Sequence, residues 1–269
     1  MAKVKVNGME LYYEIHGSGE PVLLIEGLGY ATWQWFRQID ELAASYQTVI
    51  FDNRGVGESD KPDVPYSIEG MADDAAALLK ALGLTQVPVL GTSMGGFIAQ
   101  KLALRHPELV KSLVLACTSF GGAHSIPITQ EALNSMLNVA GLTPEETIRQ
   151  GFQAAFSPGF MSAEADLIRE LIRWRLAKPT PRAAWQRQFN AVAAFDSEED
   201  VAQIRVPALI LTGSEDIVIP PENAVLLAQR LPKAKLITVP GGGHLFFIEK
   251  AAEFNRHVLD FWQQIGSAE

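Results

Sequence analysis

The segment Gly91-Thr92-Ser93-Met94-Gly95-Gly96 has the residue types of a nucleophile raised on a tight turn. It lies between a short apolar run at 87–90 and a helical pattern, which is the strand–turn–helix context that the pattern G-x-S-x-G requires. A strained turn exposes the oxygen of Ser93, and glycines two residues before and after it let the chain pass. The N–H of Met94 opens the helix and is predicted to point at a developing oxyanion.

A serine nucleophile needs a general base, and the sequence contains five histidines. His244 is the candidate because it follows a strand-like run and Gly241-Gly242-Gly243, at the sheet edge that should also carry Ser93. The base in turn needs an acid that orients it. Either Glu215 or Asp216 can serve, since both follow another strand-like run. This chemistry requires no metal and no cofactor.

Short apolar runs and the helical patterns between them must position these side chains. Runs that are apolar on both faces are typical of strands inside a parallel sheet. The pattern over 67–82 predicts a helix, because Ser67 can cap its start and Gly83 follows its end. The alternation predicts an α/β fold with a doubly wound, mostly parallel sheet. The six runs cover residues 22–25, 48–51, 87–90, 113–116, 208–211 and 236–239.

The alternation is interrupted once, by a long segment that contains only helical patterns. Two of these patterns cover 143–156 and 162–176. The insertion precedes the fifth apolar run, so we expect a helical cap over the sheet edge where open α/β sheets bind ligands. The predicted organisation is a core formed by 1–120 and 201–269, with a cap at 121–200.

Charge and cysteine content exclude several classes of function. The formal net charge is −9 at pH 7 without a block of Lys or Arg, which argues against nucleic-acid partners and against anionic membrane surfaces. Cys117 is the only cysteine, so no intramolecular disulfide forms. The sequence shows neither a secretion signal nor an apolar run long enough to cross a membrane. We expect a cytoplasmic protein with a small-molecule ester or lactone substrate. The sequence is compatible with a homo-oligomer and does not fix the oligomeric state.

Together these segments resemble the α/β-hydrolase fold family over essentially the whole chain. VLGTSMGG is similar to the family's nucleophile elbow, FDNRGVGESDKP to its D-x-R-G-x-G-x-S segment, and GSEDIVIP to its acid loop. PGGGHLFFIEK is similar to its terminal G-H segment, and the order serine, acid, histidine is the order of this family. The resemblance assigns the acid to Asp216. It is nearest to the branch of serine carboxylesterases and 3-oxoadipate enol-lactonases.

The resemblance also implies a second oxyanion donor. The family usually has H-G-x-G after its first parallel strand, and the N–H of the x residue is the donor. Here the segment is Glu26-Gly27-Leu28-Gly29, so the donor is Leu28 and Glu26 replaces a structural histidine. We expect Glu26 to accept backbone N–H bonds behind the oxyanion loop. Two alternatives stay open, namely a buried acid with a raised pKa that tunes the site, and a direct role toward water or substrate.

Two further expectations concern the surroundings of the site. Asp52, Asn53 and Arg54 should hold the turn after the second apolar run, with Arg54 bonded to nearby carbonyls or carboxylates. The substrate pocket is predicted to be apolar, with a lining that includes Tyr30, Trp33, Phe120, Met136, Trp185 and Phe246.

Several functions are compatible with these residues. The first is hydrolysis of small to medium apolar carboxylic esters through an acyl-enzyme. The second is implied by the similarity of EGLG and TSMGG to segments of 3-oxoadipate enol-lactonases. It is hydrolysis of a small anionic lactone, with Arg173, Arg175 or Lys178 of the cap near the anion. A C–C bond hydrolase, a perhydrolase and a receptor that retains the triad are further alternatives. A serine at position 93 argues against the dehalogenases and epoxide hydrolases of this fold, which use an aspartate nucleophile.

Overall fold

An eight-stranded sheet forms the centre of the protein, whose computed structural model describes residues 2–267. The strand order is β1-β2-β4-β3-β5-β6-β7-β8, in which β2 pairs antiparallel with β1 and β4 and all other pairs are parallel. The strands are β1 (Ala2–Val6), β2 (Met9–His16), β3 (Glu20–Ile25), β4 (Tyr46–Phe51), β5 (Val87–Thr92), β6 (Val110–Ala116), β7 (Ala208–Gly213) and β8 (Ala234–Val239). The predicted α/β fold with a mostly parallel sheet is confirmed.

Helices cover both faces of the sheet. Residues of α2, α3 and α9 pack into the core of one face, and residues of α1 and α11 into the core of the other. In the described part of the chain, none of these helices combines the length and the apolar character needed to span a membrane. The helices are α1 (Ile39–Ala43), α2 (Ile68–Ala81), α3 (Met94–Arg105), α4 (Gln130–Leu137), α5 (Pro144–Ala155), α6 (Pro158–Ala163), α7 (Ala165–Ala177), α8 (Arg182–Ala193), α9 (Glu222–Arg230), α10 (Phe246–Glu249) and α11 (Ala251–Gly266).

The apolar runs form strands because the sheet is buried on both faces. In β3, Leu23 and Ile25 belong to the core on one face, whereas Val22 and Leu24 belong to the core on the other. Successive side chains of a strand point to opposite faces, so a strand between two layers of helices must be apolar at every position. This packing brings the carboxyl ends of β3, β5 and β7 to one edge.

Five helices, α4 to α8, form the segment between β6 and β7. An isolated antiparallel bridge between Gly121 and Asp196 joins the two ends of this segment. The helix predicted over 162–176 is instead two helices, α6 and α7, that meet at Glu164. The first of them starts earlier than predicted because Ser157 caps it and Pro158 occupies its first turn.

The turn after β4 is held by side chains, as expected from the sequence. The carboxylate of Asp52 accepts the N–H of Thr32 and the N–H of Glu58, each at 2.7 Å. Arg54 reaches across to α2, where its Nε and Nη2 donate to Asp74 at 2.6 and 2.7 Å. The side chain of Asp74 is almost fully buried, so this bidentate pair joins two elements in a region that water hardly reaches.

The substitution Asp74→Asn should lower the free energy of unfolding by about 3 kcal/mol, because it leaves the guanidinium of Arg54 buried without its counter-charge. Urea denaturation measures this. The matched control is Lys80→Gln on the same helix, since Lys80 forms an exposed pair with Glu108 at 3.6 Å. That control should change stability by less than about 1 kcal/mol. Equal effects of the two substitutions would contradict the argument.

Candidate active site

Ser93 lies between β5 and α3 in a strained backbone conformation, with φ 54° and ψ −121°. Positive φ is unfavourable for a residue with a side chain, and such strain costs roughly 1–3 kcal/mol. A Cβ on Gly91 would collide with the carbonyl oxygen of Gly95, and a Cβ on Gly95 would collide with that of Ile25. Both glycines are therefore required by the close approach of the chain around the turn.

Three side chains from separate loops form a hydrogen-bonded series. His244 Nε2 lies 3.0 Å from Ser93 Oγ, and His244 Nδ1 lies 2.8 Å from Asp216 Oδ2. Both His244 and Asp216 are buried. A carboxylate can only accept from the ring, so Nδ1 carries a proton and Nε2 is free to accept the proton of the Ser93 hydroxyl.

The acid loop is itself held by backbone hydrogen bonds. Asp216 Oδ1 accepts the N–H groups of Val218 and Ile219, both at 2.9 Å, while Oδ2 faces His244. Glu215, the other acid that the sequence allows, is exposed. The structure therefore brings Asp216, and not Glu215, to the histidine.

The two predicted oxyanion donors lie beside Ser93. Met94 follows it as the first residue of α3. The loop that carries Leu28 is close to the nucleophile, because a Cβ on Gly27 would lie only 3.3 Å from Ser93 Cβ. Within residues 2–267, neither the N–H of Leu28 nor that of Met94 donates to a protein oxygen. Two backbone donors next to Ser93 are thus available to a ligand.

Glu26 is fully buried at the base of this loop. Its Oε1 accepts the N–H of Asn53 at 2.7 Å, whereas Oε2 has no partner among the described residues. Burial raises the pKa of Glu26 well above its ordinary value, and the nearby carboxylate of Asp52 raises it further. The contact with Asn53 matches the expected backbone role, and the raised pKa matches the first alternative. Glu26 does not line the substrate cavity.

Ser93 and His244 line a cavity of about 790 Å³ between the sheet edge and the cap. Of the predicted lining residues, Tyr30, Met136 and Trp185 face this cavity. Its apolar wall comes from α4, α5, α8 and the acid loop. Residues of this wall include Leu133, Met136, Leu142, Ile148, Val218 and Ile219.

Three of the predicted lining residues lie elsewhere. Trp33 packs beside Tyr30 and against Trp174, with ring centroids 6.1 Å from the latter. Phe120 is fully buried, with the Arg230 guanidinium 4.1 Å from its ring centroid. Phe246 is buried in the core, and its neighbour Phe247 lines the cavity instead. Sequence position puts these aromatics near the site, but only packing decides which way each ring faces.

The charged lining of the cavity is cationic. Apart from His244, its charged residues are Arg175 and Arg182, and neither Asp nor Glu of the described chain lines it. The guanidinium of Arg175 lies 4.8 Å from the ring centroid of Tyr30. No carboxylate of residues 2–267 is within ion-pair distance of Arg175. Burial raises the pKa of Tyr30, and the charge of Arg175 partly offsets that rise.

The other two cations suggested by the sequence do not line the cavity. Arg173 is exposed and contacts Glu170, and Lys178 contacts Glu58 at 2.8 Å. In the described residues no group of three or more His, Cys, Asp or Glu side chains is arranged to hold a metal ion. Cys117 lies buried beneath the turn of Ser93, and burial raises the pKa of its thiol.

Sequence reasoning missed the residues that join the cap to the loops of His244 and Leu28. Glu249 accepts the N–H of Ser157 at 2.9 Å and the N–H of Gly243 at 3.2 Å, so it ties the cap to the loop of His244. Gln188 of α8 accepts the N–H of Gly29 at 2.9 Å. Glutamate and glutamine on helices carry no motif, so only the tertiary contacts identify them.

The substitution Glu26→Gln should change how stability depends on pH. The folded chain keeps a proton on Glu26 that the unfolded chain releases above about pH 4.3, so wild-type stability falls as pH rises from there toward the raised folded pKa. The free energy of unfolding of the variant, relative to that of the wild type, should therefore rise by about 1.4 kcal/mol per pH unit between about pH 4.3 and the folded pKa. Below about pH 4.3 this relative free energy should no longer depend on pH.

Urea denaturation of both proteins between pH 4 and pH 8 measures this difference. Glu215→Gln controls for the loss of one acidic group at an exposed position. A difference for Glu26→Gln that is constant with pH would mean that Glu26 ionises in the folded protein much as it does in the unfolded chain.

Comparisons with known proteins agree with the fold described above. A family model described as "alpha/beta hydrolase fold" matches residues 20–251. The chain is 32% identical to the carbamate hydrolase candidate RutD of Azorhizobium caulinodans, with 95% of this chain and 96% of that protein covered.

Solved structures give the same result. The enol-lactonase of Burkholderia xenovorans LB400 is 25% identical and superposes with a TM-score of 0.85, covering 97% of this chain and 100% of that one. A thermophilic esterase from Thermogutta terrifontis is 26% identical with a TM-score of 0.81, covering 98% and 99%. With a family model that spans most of its length, the chain belongs to the alpha/beta hydrolase fold family.

Proposed function

We propose that this protein hydrolyses carboxylic esters of small to medium apolar acyl groups through an acyl-enzyme. The observation that carries the proposal is the series Ser93–His244–Asp216, with contacts of 3.0 and 2.8 Å, at the wall of a large apolar cavity. A nucleophile, a base and an orienting acid in this order are the parts that acyl transfer needs. Similarity to an esterase supports the reaction class.

In the first half of the reaction, His244 Nε2 accepts the proton of Ser93 as Oγ attacks the ester carbonyl. Asp216 stabilises the imidazolium through Nδ1–H and keeps the ring in position. The carbonyl oxygen becomes an oxyanion that the N–H groups of Leu28 and Met94 bind, and the loss of one such donor typically costs about 3 kcal/mol. His244 then protonates the leaving alcohol, and the acyl group stays on Ser93.

In the second half, a water molecule attacks the acyl-enzyme. His244 accepts a proton from this water, the same N–H groups bind the second oxyanion, and the proton returns to Ser93 as the acid leaves. Every proton is moved by one imidazole, so the cycle ends with the residues in their starting states.

The substitution Ser93→Ala should abolish turnover of p-nitrophenyl esters from acetate to decanoate, with a loss in kcat of at least about a thousandfold, because the acyl group then has no acceptor. Initial rates measured spectroscopically give kcat and KM along the series. The matched control is Ser112→Ala on β6, a buried serine whose hydroxyl has no hydrogen-bond partner among the described residues and which lies outside the cavity.

The control should hydrolyse the esters as the wild type does. Wild-type turnover that survives in Ser93→Ala would contradict the acyl-enzyme. Covalent labelling of the wild type by a fluorophosphonate, absent in Ser93→Ala, separates a competent nucleophile behind a selective cap from an unreactive serine.

A second candidate is a lactonase that acts on an anionic substrate. Arg175 favours it, because this cation faces the cavity and lacks a carboxylate partner among the described residues. Its Nη2 lies 3.7 Å from where a Cβ would stand on Gly29, beside the oxyanion loop. A carboxylate on the substrate could accept a bidentate pair of hydrogen bonds from this guanidinium. The similarity to an enol-lactonase is consistent with such a substrate.

The substitution Arg175→Met should lower kcat/KM for mono-p-nitrophenyl glutarate by roughly 10- to 100-fold, since a charge-assisted hydrogen bond contributes about 1.5–3 kcal/mol. Neutral p-nitrophenyl pentanoate, of equal length, should change by less than about threefold. Arg173→Met is the control on the same helix, where the cation is exposed and contacts Glu170. If both esters lose the same factor, Arg175 does not recognise an anion.

A further inference from the structure

Two buried glutamines lie on either side of the predicted oxyanion donor Leu28. Gln34 Oε1 accepts the N–H of Gly27 at 3.4 Å, and Gln188 Oε1 accepts the N–H of Gly29 at 2.9 Å. Between them, the N–H of Leu28 has no acceptor within the described chain. Of three successive backbone donors, the outer two are therefore occupied by side chains, and the middle one is left for a ligand.

Each glutamine is fixed at its other end. Gln34 Nε2 donates to Oγ1 of Thr92, the residue before the nucleophile, at 2.9 Å. Gln188 Nε2 donates to the carbonyl oxygen of Arg54 at 2.8 Å. The two side chains are 1% and 0% exposed, so water hardly competes for these bonds. The NH₂ group of each amide donates to its fixed partner, so the amide oxygen faces the loop. The loop therefore meets a hydrogen-bond acceptor on each side.

The two glutamines come from different parts of the protein. Gln34 precedes α1 in the core, whereas Gln188 belongs to α8 of the cap. On the same helix, Trp185 packs directly on Gly29, where a Cβ would lie 2.8 Å from its ring. Glycines flank Leu28 on both sides and resist rotation of the peptide planes very little. Inside the loop, the N–H of Tyr30 donates to the carbonyl oxygen of Gly27 at 3.3 Å and holds the peptide that carries the Leu28 N–H. The peptides before and after it are held from outside the loop, by Gln34 and Gln188.

We propose that Gln188 is a positioning residue that orients the oxyanion donor of Leu28, so that the cap supplies part of the oxyanion hole. The proposal rests on the ester hydrolysis proposed above. Gln188 does not touch the reacting atoms. It holds the Gly29 peptide from the cap side, while Gln34 holds the Gly27 peptide from the core side and ties it to the nucleophile turn.

This role predicts a particular kinetic signature. The carbonyl oxygen of the substrate is neutral when it binds and becomes negative only as Ser93 attacks. A misdirected Leu28 N–H therefore weakens binding of the transition state more than binding of the substrate. Loss of Gln188 should lower kcat and leave KM nearly unchanged, whereas a change in the shape of the cavity should alter KM.

The first test is Gln188→Leu, which keeps the size of the side chain and removes both hydrogen bonds. We expect kcat for p-nitrophenyl butyrate to fall about tenfold or more, with KM within about threefold of the wild type. Affinity for a trifluoromethyl ketone, which forms a tetrahedral oxyanion on Ser93, should fall by a similar factor to kcat/KM. The matched control is Asn190→Leu, an exposed residue on the same helix outside the cavity, which should change neither value.

The second test is Gln188→Glu, which also serves if Gln188→Leu fails to fold. A protonated glutamic acid can accept from Gly29 and donate to Arg54, whereas the carboxylate cannot donate. The ratio of kcat between this variant and the wild type should therefore rise as pH falls. Effects of pH that the two proteins share cancel in this ratio.

The outcomes separate this proposal from the proposed function. A folded Gln188→Leu variant with wild-type kcat and unchanged inhibitor affinity overturns the role of Gln188 and leaves ester hydrolysis intact. A raised KM with unchanged kcat overturns it too and assigns Gln188 to cavity shape. If fluorophosphonate does not label wild-type Ser93, ester hydrolysis fails, and the oxyanion role fails with it. If labelling occurs without turnover, the labelling rate replaces kcat in the same comparison.

Discussion

Ser93 can reach a substrate only because its backbone is kept in a conformation that costs roughly 1–3 kcal/mol. The surrounding sheet opposes relaxation of this turn. The N–H of Ser93 donates to Ala116 at 2.9 Å, and its carbonyl accepts the hydroxyl of Thr118 at 3.0 Å. Since β5 lies between β3 and β6, the oxyanion loop and the start of the cap are both next to the nucleophile. The positions of the other groups with a proposed catalytic role follow from this arrangement.

The cap is part of this arrangement and does more than cover the cavity. It contacts the loop of His244, where Leu245 donates to Ala155 at 2.8 Å and Glu249 bonds Ser157, and it contacts the oxyanion loop through Gln188. These hydrogen bonds are largely buried, so they are directional and costly to break. Under the proposed function, substitutions in the cap can therefore change turnover as well as the choice of substrate.

Charge is distributed unevenly between the surface and the cavity. The chain carries a net charge of −9, but the cavity wall is apolar with two arginines and no carboxylate among the described residues. Aqueous salt screens exposed charges over about 8–10 Å, whereas a cation at the wall of a largely apolar cavity is screened less. Arg175 can thus attract an anionic group locally even though the whole protein is acidic.

Much of the geometry of the candidate site could be predicted from the sequence, because short motifs encode local conformation. The glycines around Ser93 and the strand before it predict the strained turn, and Ser67 with Gly83 predicts the bounds of α2 to within a residue. Resemblance to a family was needed to choose Asp216 over Glu215. Only the tertiary structure decided which aromatic rings face the cavity and that Gln34 and Gln188 flank Leu28. It also decided that, of Arg173, Arg175 and Lys178, Arg175 faces the cavity without a carboxylate partner among the described residues. These contacts join residues far apart in the chain, and no local pattern specifies which side chain will meet which in a packed interior.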